Sequence, residues 1–189
     1  MTTQIFSDLE SNTMAGINRA EKSTRLFSES RKAKGVQCVF LSHQQKDKDV
    51  CRKIADYLLN ADIDVYFDED DDDLKIYRQQ NRPQGVVDSI KKGITNSSHM
   101  LVVVSPNTIY SKWVPWEVGY GYDSTNLGVL TLKGIKEEDL SDYLKTTLII
   151  RGTKSLNTYL AKITGKIESL MESTNLIKNF STVWHPLDN

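Results

Sequence analysis

Apolar residues along the chain gather into short runs of strand formers, separated by stretches with helical spacing. Residues 36–41 and 63–67 are the first two such runs. Between them, Val50, Ile54, Tyr57 and Leu58 fall on one face of a helix spanning about 44–59. A helix from Pro83 or Gln84 to Ile94 leads into residues 100–104, Met-Leu-Val-Val-Val, the most continuous apolar run of the chain. Such a run suits a central parallel strand covered on both faces. Pro106 ends that strand, and residues 113–122 read as the next helix. Residues 127–132 and 147–150 supply strands four and five, and a helix over 156–171 closes the series, with Leu160, Ile163, Ile167, Leu170 and Met171 on one side.

Strands alternating with helices at this spacing require parallel strands joined by crossover helices. The expected architecture is α/β: a flavodoxin-like three-layer fold around a five-stranded parallel sheet. The pattern does not fix strand order. With the flavodoxin-like order 2-1-3-4-5, the switch point lies between strands one and three, and a ligand meets the chain after Leu41 and after Val104. Residues 1–34 are expected to be a helical extension, with Leu9, Met14, Ile17, Leu26 and Phe27 as sparse apolar positions. The main domain covers 35–171. The tail, 172–189, carries Phe180, Val183, Trp184 and Pro186 and is expected to pack back on the domain.

Composition narrows the classes. The 189 residues carry 24 basic against 25 acidic side chains, a net charge of -1, which argues against a dedicated nucleic-acid binder. At 39% hydrophobic and 26% charged residues, a packed core is expected. No run approaches the roughly 20 apolar residues that span a bilayer, and the start, Met1-Thr-Thr-Gln, has no secretory pattern. A cytoplasmic protein without membrane contact is expected. Cys38 and Cys51, the two cysteines of the chain, then read as reduced thiols, too few to form a zinc site alone.

Candidate chemistry sits at the strand ends. Ser42 and His43 follow strand one and offer a hydroxyl and an imidazole, but adjacency does not build a hydrolytic triad, and G-x-S-x-G is absent. Neither G-x-G-x-x-G nor a P-loop occurs, so ordinary dehydrogenase and P-loop readings lose their warrant. The acidic run Asp68-Glu-Asp-Asp-Asp-Asp73 lacks EF-hand spacing, reads as a solvated loop, and suggests no metal. Ser111-Lys-Trp-Val-Pro-Trp-Glu-Val-Gly-Tyr120 is sharper. On a helix, Trp113 and Glu117 share a face and Tyr120 lies three beyond. Pro115 is tolerated in a first turn. Glu117 then lies close to the positive helix end, where a carboxylate is expected to stay ionised, with Trp113 as a pocket wall. Gly119 and Gly121 weaken such a helix unless close packing needs them.

These residues resemble the TIR domain (Toll/interleukin-1 receptor domain), and within it the ThsB kind found in bacterial Thoeris antiphage systems. Val39-Phe-Leu-Ser-His43 is similar to the opening strand motif of TIR domains. Arg82-Pro-Gln-Gly85 stands where they have the loop after strand two, although the usual order is Arg-Asp-x-x-Pro-Gly. Ser111 to Glu117 is similar to the motif in which a Trp is followed four positions later by the Glu that enzymatic members use on NAD. The resemblance implies the five-stranded fold and cleavage of NAD between nicotinamide and ribose. It further implies a cyclic ADP-ribose isomer that acts as a diffusible messenger for a separate NAD-depleting effector, ThsA. NAD is then substrate and no cofactor is needed. Glu117 is the implied catalytic residue, with substrate contacts expected from Ser42, His43, Ser105, Trp113 and Tyr120. A non-enzymatic TIR scaffold acting through homotypic contacts is the principal alternative. A receiver domain would need acidic residues where Ser42-His43 and Ser105-Pro106 stand. A nucleoside deoxyribosyltransferase-like enzyme is a further alternative.

Overall fold

Five parallel strands form one sheet in the computed structural model of the protein, which describes residues 15–166 and residue 187. They are β1 (Cys38–Ser42), β2 (Asp64–Tyr66), β3 (His99–Val104), β4 (Asn126–Thr131) and β5 (Leu148–Arg151), in the order β2-β1-β3-β4-β5. This is the flavodoxin-like order. β1 and β3 run in register, with Phe40 opposite Met100, Leu41 opposite Leu101 and Ser42 opposite Val102. β3 runs two residues past the end of β1, and the chain leaves the two strands in opposite directions along the sheet.

The two-residue period of a strand sends alternate side chains to opposite faces, and each face meets its own helices. Val39, Leu41, Leu101 and Val103 pack under α2 (Lys48–Asn60) and α7 (Gly152–Thr164), through Ile54, Leu58, Leu156 and Leu160. Phe40, Met100, Val102 and Val104 face the other layer. That layer holds α3 (Asp72–Gln79), α4 (Pro83–Thr95), α5 (Val114–Gly121) and the short α6 (Asp142–Lys145), through Leu74, Ile90, Ile94, Val118 and Leu144. Pro83 and Pro115 open α4 and α5, where the missing amide costs nothing. α7 stops at Thr164 because Gly165 turns left-handed at φ 66°. The helix expected to 171 is thus shorter, and Ile167, Leu170 and Met171 lie outside the described residues.

The segment after β2 departs from the sequence reading. In place of a solvated acidic loop, Asp68–Asp70 forms a 3-10 turn and Asp71 caps α3, accepting a hydrogen bond from the Leu74 amide at 3.0 Å. Asp68 and Asp71 are buried. The mutual repulsion that favours solvation is offset by partners spread around the run. Arg78 takes Asp68, Arg52 takes Asp70, and the Tyr66 hydroxyl donates to Asp71.

Among the described residues of the arm before β1, a 3-10 turn at Lys22–Thr24 leads into α1 (Arg25–Ala33). Upstream, Asn18 bridges in parallel to Val65, so residues 17–19 cover the outer edge of β2. Fully buried Asp64 receives Arg19 and Arg31, each at 2.7 Å. The helical expectation for residues 8–14 lies outside the described residues. So does the packing of the tail, apart from Leu187, which is buried in the core beneath α2 and α7. No helix among the described residues is long and apolar enough to cross a membrane.

Candidate active site

The switch point between β1 and β3 brings Ser42 and Glu117 together from 75 positions apart, with the Ser42 hydroxyl donating to Glu117 Oε2 at 2.7 Å. Ser42 is the last residue of β1. Glu117 stands in the first turn of α5, its amide bonded to the Trp113 carbonyl at 2.8 Å. Val114 and Val118 anchor that helix in the core beneath, which fixes the direction of the carboxylate. Above it opens a cleft of about 310 Å³, lined by His43, Gln44, Gln45, Asp68, Glu69, Arg78, Trp113 and Glu117 together with residues 110–112. That volume is at the lower end of small-molecule sites, roughly 300–1,000 Å³.

Glu117 is 5% exposed, and burial pushes its carboxyl up to about 8. The negative charge of Asp68 raises it further, while the Ser42 hydrogen bond and Arg78 oppose the rise. The ionised carboxylate expected from the helix end is therefore not the state favoured in the empty cleft at neutral pH. Loss of water outweighs the half-charge of one short helix. A cation entering the cleft favours the ionised form.

His43 stacks on Phe67 with ring centroids 5.1 Å apart, and its Nδ1 is 3.1 Å from the Leu41 carbonyl. A proton on Nδ1 donates to that carbonyl. Asp68 Oδ1 lies 3.7 Å from the same nitrogen, beyond hydrogen-bond reach. Among the described residues, His43 Nε2 and Asp68 Oδ1 are buried polar atoms without a hydrogen-bond partner. The other Asp68 oxygen takes Arg78 at 3.1 Å, and Arg78 also stands 4.0 Å from Glu69. Ligand atoms of His43, Asp68 and Glu69 lie within 4.8 Å of one another, a spacing open to a metal ion. Arg78 already supplies positive charge to both carboxylates there.

Of the residues singled out from sequence, Glu117, His43 and Trp113 line the cleft and Ser42 supports Glu117 from below. Trp113 is 38% exposed and meets Trp116 edge-on at 5.6 Å. Tyr120 lies elsewhere, stacked on Trp116 at 5.7 Å with Lys91 Nζ 5.3 Å from its ring centroid. Ser105 is held in the turn after β3, where its hydroxyl bonds Asp47 and its amide donates to Thr108 Oγ1 at 2.9 Å. Neither lines the cleft. Asp68, Arg78, Gln44, Gln45 and Tyr110 line it and were not singled out. Asp68 follows β2, the neighbour of β1, so the expected strand order itself placed that loop on the ligand side.

A larger cavity of about 550 Å³ lies between α1 and α4, lined in part by Arg25, Lys32, Asp73 and Lys92. Its charges answer one another, as in the pair Arg25–Asp73 at 2.9 Å, and its buried carboxylate, Asp71, is taken up by the Leu74 amide and the Tyr66 hydroxyl. Size alone does not favour it. The thiols of Cys38 and Cys51 are buried and pushed up by burial, Cys38 to about 11, so neither is a poised nucleophile.

Over 98 residues the chain is 33% identical to a protein of Cytobacillus dafuensis named "Putative cyclic ADP-D-ribose synthase TIR2". The matched stretch is 51% of this chain and 25% of that relative, so the chain corresponds to about a quarter of the relative's length. The family model of the TIR domain matches residues 39–154, from the middle of β1 to the start of α7, and the chain belongs to the TIR-domain family.

Proposed function

We propose that the protein cleaves NAD between nicotinamide and ribose, with Glu117 as the catalytic residue, and closes the remaining ADP-ribose into a cyclic isomer. The observation that carries this reading is the buried Glu117 carboxylate, held by Ser42 at the floor of a cleft at the sheet's switch point. Membership of the TIR family supports it, as does the name of the Cytobacillus dafuensis relative. By the resemblance to Thoeris ThsB proteins, the product is a messenger in antiphage defence that activates a separate NAD-depleting effector of the ThsA kind.

The chemistry suits one carboxylate. Nicotinamide on ribose is cationic and leaves neutral, so its departure needs no general acid. The bonding electrons go to the ring nitrogen, and positive charge develops on the ribose. An ionised Glu117 stabilises that charge and accepts hydrogen bonds from ribose hydroxyls. The cationic substrate itself draws Glu117 into the ionised form by lowering the cost of a buried negative charge. Trp113 walls the cleft and limits water, which competes with the internal nucleophile required for ring closure.

Replacing Glu117 by Gln keeps the shape and an acceptor for Ser42 but removes the charge. We expect Glu117→Gln to lower nicotinamide release by at least about 100-fold, with the cyclic product lost in parallel. Chromatography of NAD reactions, run with extracts of infected cells as well as with purified protein, measures both. Undiminished turnover in a folded variant rejects the assignment. A second reading, a scaffold acting through homotypic contacts, draws on Ile109 and Tyr110, 70% and 78% exposed near the cleft mouth. On that reading Glu117→Gln leaves signalling intact, while polar replacements at 109 and 110 abolish it.

A further inference from the structure

Three carboxylates line the candidate cleft: Asp68, Glu69 and Glu117. That is an unfavourable wall for a dinucleotide whose two halves are joined by a negatively charged pyrophosphate. The permanent cations in the lining are Arg78 and Lys112. Arg78 is engaged with Asp68 at 3.1 Å and stands 4.0 Å from Glu69. The pair is asymmetric. Asp68 is fixed on a 3-10 turn with its side chain 11% exposed, whereas Arg78 stands in the last turn of α3 with its side chain 34% exposed. The partly exposed Arg78 gives up little in leaving such a pair, whereas buried Asp68 requires another cation in its place. Asp68 Oδ1 is buried without a hydrogen bond, so the carboxylate also has unfilled acceptor capacity facing His43.

Oxidised NAD carries the same two charges as this pair, on one molecule: a cationic pyridinium ring and an anionic bridge. We propose that the Asp68–Arg78 pair is the element by which the cleft selects the oxidised dinucleotide, the cationic ring replacing Arg78 beside Asp68 while Arg78 moves to the pyrophosphate. The inference rests on the reading of the cleft as an NAD site and adds a determinant of which redox form enters. Asp68 and the pyrophosphate each keep a partner of opposite sign through the exchange, and Glu69, its side chain 18% exposed, is left to solvent. NADH, with the same pyrophosphate and a neutral ring, draws Arg78 away and leaves Asp68 buried without a cation, the arrangement that penalises a wrong ligand most. Asp68 acts here through the binding step and Glu117 through the bond-breaking step.

Calorimetry of the full chain with two uncleaved ligands tests this: the carbocyclic analogue of NAD, which keeps the cationic ring, and NADH. Wild type is expected to bind the analogue about tenfold or more tighter than NADH. Asp68→Asn is expected to bring the two within about threefold, and Arg78→Ala to weaken both by about tenfold. Thermal melts of each variant establish that it folds, and the wild-type comparison stands without any variant. Equal wild-type affinity for the two ligands overturns the proposal, as does Asp68→Asn with its preference intact. Those failures leave NAD cleavage standing if nicotinamide is still released from NAD. Absence of binding by both ligands, together with absence of nicotinamide release, overturns the functional reading and this inference with it.

Discussion

Glu117 is the residue on which the proposed chemistry turns, and its environment has a consequence that is measurable without substrate. Burial raises its carboxyl from 4.5 to about 8, so between those values the folded protein holds a proton that the unfolded chain has released. The folded state binds more protons, and stability therefore falls as pH rises from about 4.5 through 8. Other groups titrate in the same window, but Glu117→Gln shares all of them. Its stability relative to wild type is thus expected to improve by about 2–4 kcal/mol from pH 4.5 to pH 9. Urea melts of both proteins across that range give the difference directly. A constant difference would mean that folding does not raise the Glu117 carboxyl. The motif from Ser111 to Glu117 was legible in sequence because a Trp and a Glu four apart on a helix share a face. The protonation state was not, since it depends on Asp68 and on the depth of burial, which no local spacing encodes.

At the scale of elements, packing explains some glycines and not others. The Cβ of an alanine at 93 in α4 would stand 2.5 Å from the Tyr66 ring, so that helix crosses the sheet over a flat aromatic side chain. An alanine at 119 in α5 would meet nothing within 4 Å. We expect Gly93→Ala to cost about 1–3 kcal/mol and Gly119→Ala to add about 0.5–1 kcal/mol by stiffening the unfolded chain. Thermal denaturation of the two single variants separates these signs. Of the two glycines in α5, close packing needs Gly121 and not Gly119. A Cβ at 121 would meet Met100 Cε at 2.4 Å, while position 119 is open. The strands were legible within one or two residues because each is built on a short apolar run. α3 was not, since Asp72-Asp-Leu-Lys-Ile-Tyr-Arg-Gln79 follows a run of like charges, and its buried anchor is the single Leu74. What starts the helix is the Asp71 cap, and what neutralises the run is Arg52 and Arg78, at distances along the chain that periodicity does not register.

For the whole molecule, the order of strands was readable only as a conditional, because alternation establishes parallel strands without saying which are neighbours. Once that order holds, the ends of β1 and β3 meet and the position of the cleft follows. The arm before β1 was the least legible region. Its covering of the β2 edge rests on backbone bonds, such as Arg19 N to the Val65 carbonyl at 2.7 Å, that depend on no side-chain pattern. Arg19 and Arg31 add a second tie, to Asp64, and replacing both with Met is expected to destabilise the protein by about 3–5 kcal/mol. Chemical denaturation measures it, and a loss below about 1 kcal/mol would show the pair to be dispensable. Asp64→Asn in the same background restores part of the loss, since the amide no longer needs a cation.

The two guanidinium groups on Asp64 make the stretch from Arg19 to Arg31 a poor place to cut. A fragment beginning at Val36, the natural choice for anyone trimming the chain to its sheet, would leave a negative charge at the bottom of the fold with no countercharge and an edge strand open to a neighbouring molecule. Insolubility of such a fragment would report on that buried aspartate and that bare edge, not on the cleft at the other end of the strands.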